Sequence, residues 1–212
     1  MEQVVFKNKN NKTLVYYPVP KNANTSVKSL FASILGIENK FDYRDGTPRY
    51  KRPSETMLLK SGAKPSISSF FKNYEPFVEL NVDIKICIVR DPLERFISAY
   101  ENRVLFHRDR GFQDYRVDKV LEELINGNFE NKHFLPQTYF LGSNLKYFTH
   151  VYKIYELNLL YKNLIDFFDI NMKLKIPHLQ TGRSKKITLN KFQIKKIKNI
   201  YKKDYILLNK FF

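Results

Sequence analysis

Residues 13–26 read TLVYYPVPKNANTS, and the next ten continue VKSLFASILG. Thr13 to Tyr17 is a short apolar run of strand formers. Pro18 and Pro20 stiffen the entry to the loop after it. Val27, Leu30, Phe31, Ile34 and Leu35 then recur at helical spacing, and Gly36 suits a helix stop. The reading is strand, tight loop, helix. A loop entering a helix N-terminus points free backbone N–H groups at one spot, and the helix dipole adds positive potential there. Lys21 supplies a point charge to that spot, and Thr25 and Ser26 supply hydroxyl donors. Asn22, Ala23 and Asn24 are small or tolerant of unusual backbone angles, so the loop can curl around an anion. It is not a Walker A loop, because it contains no glycine and its lysine precedes the curl. An ordinary βα loop with a Thr or Ser N-cap fits the same letters.

Moving outward, Ile84–Val89 (IKICIV) reads as a buried strand, with Cys87 as a small interior hydrophobe. It meets Arg90-Asp91-Pro92-Leu93-Glu94, in which Asp91 can cap, Pro92 suits the first helical position and Glu94 completes a capping box. The helix should run to about Leu105. Arg90 stands at the C-terminal end of a strand, where open α/β sheets bind ligands, and its guanidinium fork can hold a phosphate. Ser98 lies two turns into the helix and can face the same place. Arg95 also reads as a surface charge and Tyr100 as a core residue. Further helices fit 67–77, 118–126, 157–168 and 188–203, and a third strand fits 150–155. Strands alternating with helices imply an α/β fold with a central, largely parallel sheet, in one domain over 1–212.

The chain carries 37 basic and 21 acidic residues in 212, a net charge of +16. Its last 42 residues hold eleven lysines and Arg183 against one acid, Asp204, so +11 of the total sits there. A basic C-terminal helix face suits nucleic acid, an anionic membrane, an acidic polymer or a phosphate-rich cofactor. No DNA- or RNA-binding module is recognisable. The single cysteine excludes an intrachain disulfide and a cysteine-cluster zinc site. There is no run of 18 apolar residues and no signal-peptide core, so a cytoplasmic location is expected, in a bacterial or viral setting.

Taken together, the two anion motifs resemble the sulfotransferase superfamily, in particular the carbohydrate sulfotransferases of sulfotransferase family 2. Pro20-Lys21-Asn22-Ala23-Asn24-Thr25-Ser26 is similar to that family's P-K-x-x-x-T-S loop. Residues 90–100 match R-D-P-x-x-R-x-x-S-x-Y at every fixed position, and His133-Phe134-Leu135-Pro136-Gln137 looks like its H-x-x-P-Q segment. The resemblance implies a P-loop-NTPase-like three-layer fold. It also implies a metal-free sulfuryl transfer from 3′-phosphoadenosine 5′-phosphosulfate (PAPS) to a carbohydrate hydroxyl. Lys21 through Ser26 would hold the 5′-phosphosulfate, with Lys21 stabilising the leaving oxygen. Arg90 and Ser98 would hold the 3′-phosphate, and Arg183 is a candidate second fork. His133, then Glu55, are the candidate general bases. Two readings compete: a basic nucleic-acid-binding protein, and a catalytically inactive nucleotide- or glycan-binding member of the same fold.

Overall fold

The computed structural model describes residues 5–37, 75–109, 111–171 and 187–212. The helix expected near 67–77 falls almost wholly outside them, and Glu55 and Arg183 lie outside them too.

Four strands form one sheet in the order β1 (Val5–Lys7), β2 (Thr13–Tyr17), β3 (Ile84–Val89), β4 (His150–Lys153). β2, β3 and β4 are parallel, and β1 adds an antiparallel edge. The period-2 alternation of β2 and β3 divides two cores. Leu14, Tyr16, Ile86 and Ile88 face one side, where Val27, Leu30 and Phe31 of α1 (Asn24–Ile34) and Leu160 and Leu164 of α5 (Leu157–Phe168) cover them. Val15, Tyr17, Cys87 and Val89 face the other, against Phe140 and Leu141 of α4 (Gln137–Leu141) and Leu208 just past α7 (Lys202–Leu207). This is the three-layer α/β arrangement expected. A third cluster joins α2 (Pro92–Ala99), α3 (Val117–Ile125) and α6 (Lys191–Ile200) through Phe96, Val120, Leu121 and Ile197. Each of these fully buried side chains is worth about 1.5–3 kcal/mol in transfer terms. Among the described residues no helix is long and apolar enough to cross a membrane.

Local chemistry explains most element ends. Asp91 accepts the Glu94 N–H at 3.0 Å and Pro92 opens α2, as the sequence predicts. The helix then widens into a π-helical turn over Tyr100–Phe106 instead of continuing as α. Asn190 and Gln193 form a reciprocal capping box, so α6 begins three residues later than the apolar spacing suggests. Gly142 ends α4 at φ 71°, where a Cβ would stand 2.6 Å from the Phe77 ring.

Parallel pairing has one consequence for function. Tyr17 sits opposite Cys87 and Ile86 opposite His150, so β2 and β3 finish at the same edge of the sheet. Their connecting loops, 18–23 and 90–91, therefore emerge side by side.

Candidate functional site

The loop after β2 does curl, through Ala23 as expected and through Lys21, which was not, while Asn22 and Asn24 keep ordinary φ. Lys21 and Ala23 adopt positive φ, 69° and 56°. Each such non-glycine residue costs about 1–2 kcal/mol, so the surroundings must hold it there. The asparagines do the holding. Asn22 is fully buried, and its Nδ2 donates to the Ile88 carbonyl at 2.7 Å and to Gln137 Oε1 at 2.8 Å. Asn24 Oδ1 accepts the Tyr16 hydroxyl at 2.6 Å. The loop is thereby fastened to β2, to β3 and to α4.

Ala23, not Thr25 or Ser26, is the N-cap of α1, and it makes no side-chain cap. The first backbone bond entering the helix is Val27 N–H to the Ala23 carbonyl, at 3.1 Å. The amides of Asn24, Thr25 and Ser26 precede it and have no helical acceptor. Alternating backbone handedness leading into an open helix N-terminus makes an anion-binding nest. Thr25 and Ser26 occupy its first turn, partly exposed. Asn24 Nδ2 adds a buried donor that has no hydrogen-bond partner.

Cations crowd this nest. Arg90 Nη1 donates to the Lys21 carbonyl at 3.2 Å, while its Nε faces Glu94 at 3.5 Å. Arg95 is 1% exposed, which rules out the surface-charge reading. Its Nε donates to the Pro20 carbonyl at 2.9 Å and its Nη2 to the His133 carbonyl at 3.2 Å, so one guanidinium spans the loop and the H-x-x-P-Q segment. Burial first, then repulsion from Arg103, Arg90 and Arg95, pushes the Lys21 ammonium down to about 7, with Glu101 opposing. An anion in the nest would relieve that repulsion.

Gln137 ties the two motifs together. Its side chain is fully buried and accepts from the Arg90 N–H at 3.2 Å while donating to the Arg90 carbonyl at 2.8 Å. The same Oε1 receives Asn22. Sequence reasoning placed Gln137 only inside a motif and gave it no role. Its signal was that one amide offers both a donor and an acceptor, which suits a strand-end backbone.

His133 is tied to the nest loop through Arg95, which donates to its backbone carbonyl and to that of Pro20. Its Nδ1 and its backbone N–H both meet Asn131 Oδ1, at 2.9 and 3.2 Å. Asn131 Nδ2 donates to Asp109 Oδ2 at 2.7 Å, and Asp109 is ion-paired with Arg103. That commitment turns the amide oxygen toward His133, so Nδ1 carries the proton and Nε2 is the basic nitrogen. Ser98 is half-buried on α2, in the turn before the π-helical segment. His107 is buried at the end of the π-helical turn, and His150 opens β4 on the surface. Tyr100 is a core residue, with its hydroxyl on the Tyr115 carbonyl. Among the described residues no three His, Cys, Asp or Glu side chains stand together as a metal site.

Comparison with known proteins gives the family. No curated protein and no solved structure matches the chain. The model for the Sulfotransferase family matches residues 4–211, which include the nest, Arg90, His133 and the C-terminal helices. The chain belongs to the sulfotransferase family, in sulfotransferase family 2.

Proposed function

We propose that the protein transfers the sulfuryl group of PAPS to a hydroxyl of a carbohydrate acceptor. One observation carries this reading: Arg90 Nη1 donates to the backbone carbonyl of Lys21, 69 residues away, at 3.2 Å beside the open N-terminus of α1. A donor bearing phosphate at both its 5′ and 3′ positions needs two adjoining anion sites, and these residues supply them.

The residues fit the donor in kind. The amides of residues 24–26, the Thr25 and Ser26 hydroxyls and the unpartnered Asn24 Nδ2 offer donors to the 5′-phosphosulfate. The Arg90 fork and the Ser98 hydroxyl suit the 3′-phosphate. Lys21 is the residue assigned to stabilise the departing phosphate oxygen, by the resemblance of its loop to the family's phosphosulfate loop. By analogy with phosphoryl transfer, positioning and charge stabilisation do most of the work. His133 Nε2 is the base for the acceptor hydroxyl, with its tautomer set through Asn131. The saccharide acceptor rests on the resemblance to carbohydrate sulfotransferases.

Thermal unfolding tests the reading, because a ligand that prefers the folded state raises Tm. 3′-Phosphoadenosine 5′-phosphate should raise it, adenosine 5′-phosphate much less, and duplex DNA not at all. The shift should vanish in Arg90→Ala. No response to the bisphosphate at millimolar concentration sinks the proposal, and a response to DNA alone returns the nucleic-acid reading.

A further inference from the structure

The last 26 residues contain seven lysines and one acid. That acid, Asp204, is buried, so the exposed face of α6 and α7 carries cations only. Lysines on a helix are commonly just a solvated face. Two apolar side chains make this face different. Phe192 is 80% exposed and Ile206 is 63% exposed.

Their positions are specific. Phe192 has Lys195 and Lys196 at i+3 and i+4. Ile206 has Lys202 and Lys203 at i−4 and i−3, and Lys210 follows in the turn beyond α7. Side chains three and four apart are neighbours on a helix surface. Each exposed apolar group therefore has two lysines beside it on its helix. The inward residues of α6 do not compete for this role, since Ile197 is fully buried and Ile194 and Ile200 are partly covered. The face also lacks arginine, the residue that forks phosphates bidentately in nucleic-acid recognition.

We propose that the α6–α7 face docks on an anionic lipid surface, with Phe192 and Ile206 entering the headgroup boundary and the neighbouring lysines meeting the lipid phosphates. A lysine near such a surface contributes about fivefold in affinity, and an apolar side chain gains only if it leaves water. A hydrated polyanion would use the lysines and leave Ile206 where it is. A bilayer uses both. The lysine stems can also spread over the apolar boundary while their ammonium groups stay wet. Docking of this kind is independent of the anion nest and is read without any activity.

The chain contains no tryptophan, so Phe192→Trp is a lone fluorescent reporter at an exposed position. With vesicles of phosphatidylcholine containing about a third phosphatidylserine, its emission should shift to the blue and be quenched by brominated lipid. Vesicles of phosphatidylcholine alone should do neither. In co-sedimentation at physiological salt, Lys195→Gln with Lys198→Gln should weaken binding about 25-fold, the product of two factors of about five. Ile206→Ser should weaken it several-fold. The proposal is overturned if the reporter stays unshifted on the anionic vesicles, or if binding ignores Ile206→Ser. Retention by heparin or duplex DNA with no retention by vesicles overturns it equally. Unchanged circular dichroism in each variant separates lost docking from lost folding.

Discussion

Asp204 accepts the backbone N–H groups of Gln137 and Thr138 at 2.7 and 2.8 Å, deep inside the protein. It thereby satisfies the N-terminus of α4, whose N-cap Pro136 offers no side-chain acceptor. Tyr201 adds a bond from its hydroxyl to the Phe134 carbonyl at 2.8 Å. The C-terminal helices thus fix the segment that carries His133 and Gln137, and Gln137 in turn holds Asn22 and Arg90. A tail residue 183 positions from Lys21 sets the geometry of the nest through two steps of hydrogen bonding.

Gln137→Ala should therefore weaken the fold and the site together. It leaves one N–H of the buried Asn22 amide and the part-buried Arg90 N–H and carbonyl without this partner, and an unmade buried bond costs about 1–3 kcal/mol. A loss of about 3 kcal/mol in urea unfolding is expected. At a temperature where the variant is still folded, bisphosphate affinity should fall at least tenfold, because the loop and Arg90 lose their common support. Affinity equal to wild type in the folded variant would show that Gln137 serves stability alone.

Arg95 is the second coupling element. Arg95→Lys keeps the charge but cannot reach both the Pro20 and His133 carbonyls as a planar fork does. It should cost about 2–4 kcal/mol. Its turnover should fall more than its donor affinity, since the link it breaks is between the donor loop and the proposed base. Titrations of folded Arg95→Lys with the bisphosphate, beside turnover measurements, separate the two effects.

How far the sequence could be read depends on where each signal lives. The strand and helix over 13–36 were legible because period-2 and period-3.6 patterns adjoin one another with a proline-stiffened turn between. Asp91, Pro92 and Glu94 announced α2 because capping is a local interaction. β1 was not legible, since three residues with one inward Phe6 carry no period. Nor was α4, whose five residues take their cap from Asp204, 67 positions away in the chain. The same distinction holds in the site. Lys21 and Arg90 stood out by motif and strand-end position. Arg95, Asn131 and Gln137 act through long-range bonds to backbone or to other side chains, and one sequence does not show those partners.

The lowered ammonium of Lys21 predicts proton uptake on ligand binding. Between about 7 and the ordinary 10.5 the ligand-free folded protein holds Lys21 largely neutral, whereas the unfolded chain holds it charged. The unfolded state binds more protons there, so this group makes stability rise with pH across that window. Below it Lys21 is charged in both states and its burial cost is fully present. Lys21→Met should accordingly be more stable than wild type at pH 6, with the advantage shrinking toward pH 10. A bound phosphate restores the charge, so wild type should take up close to ~1 proton per bisphosphate at pH 8, and Lys21→Met none. Calorimetry in buffers of different ionisation enthalpy reads this directly. Equal uptake by both proteins would place the titrating group elsewhere.

The chain from His133 through Asn131 to Asp109 yields the last prediction. Removing the proposed base in His133→Ala should lower turnover about 10²–10⁴-fold with bisphosphate binding retained. Asn131→Ala frees the imidazole to choose either tautomer and should lower turnover, by less than His133→Ala does. Asn131→Asp is more informative. A carboxylate beside Nδ1 favours the imidazolium, so the base must shed its proton at a higher pH before it can act. The acid limb of the rate profile should therefore move to higher pH, while the bisphosphate affinity of the folded protein stays within a few-fold of wild type. A profile whose acid limb does not move in Asn131→Asp would remove His133 from the chemistry and leave the Asn131 contact as a structural one.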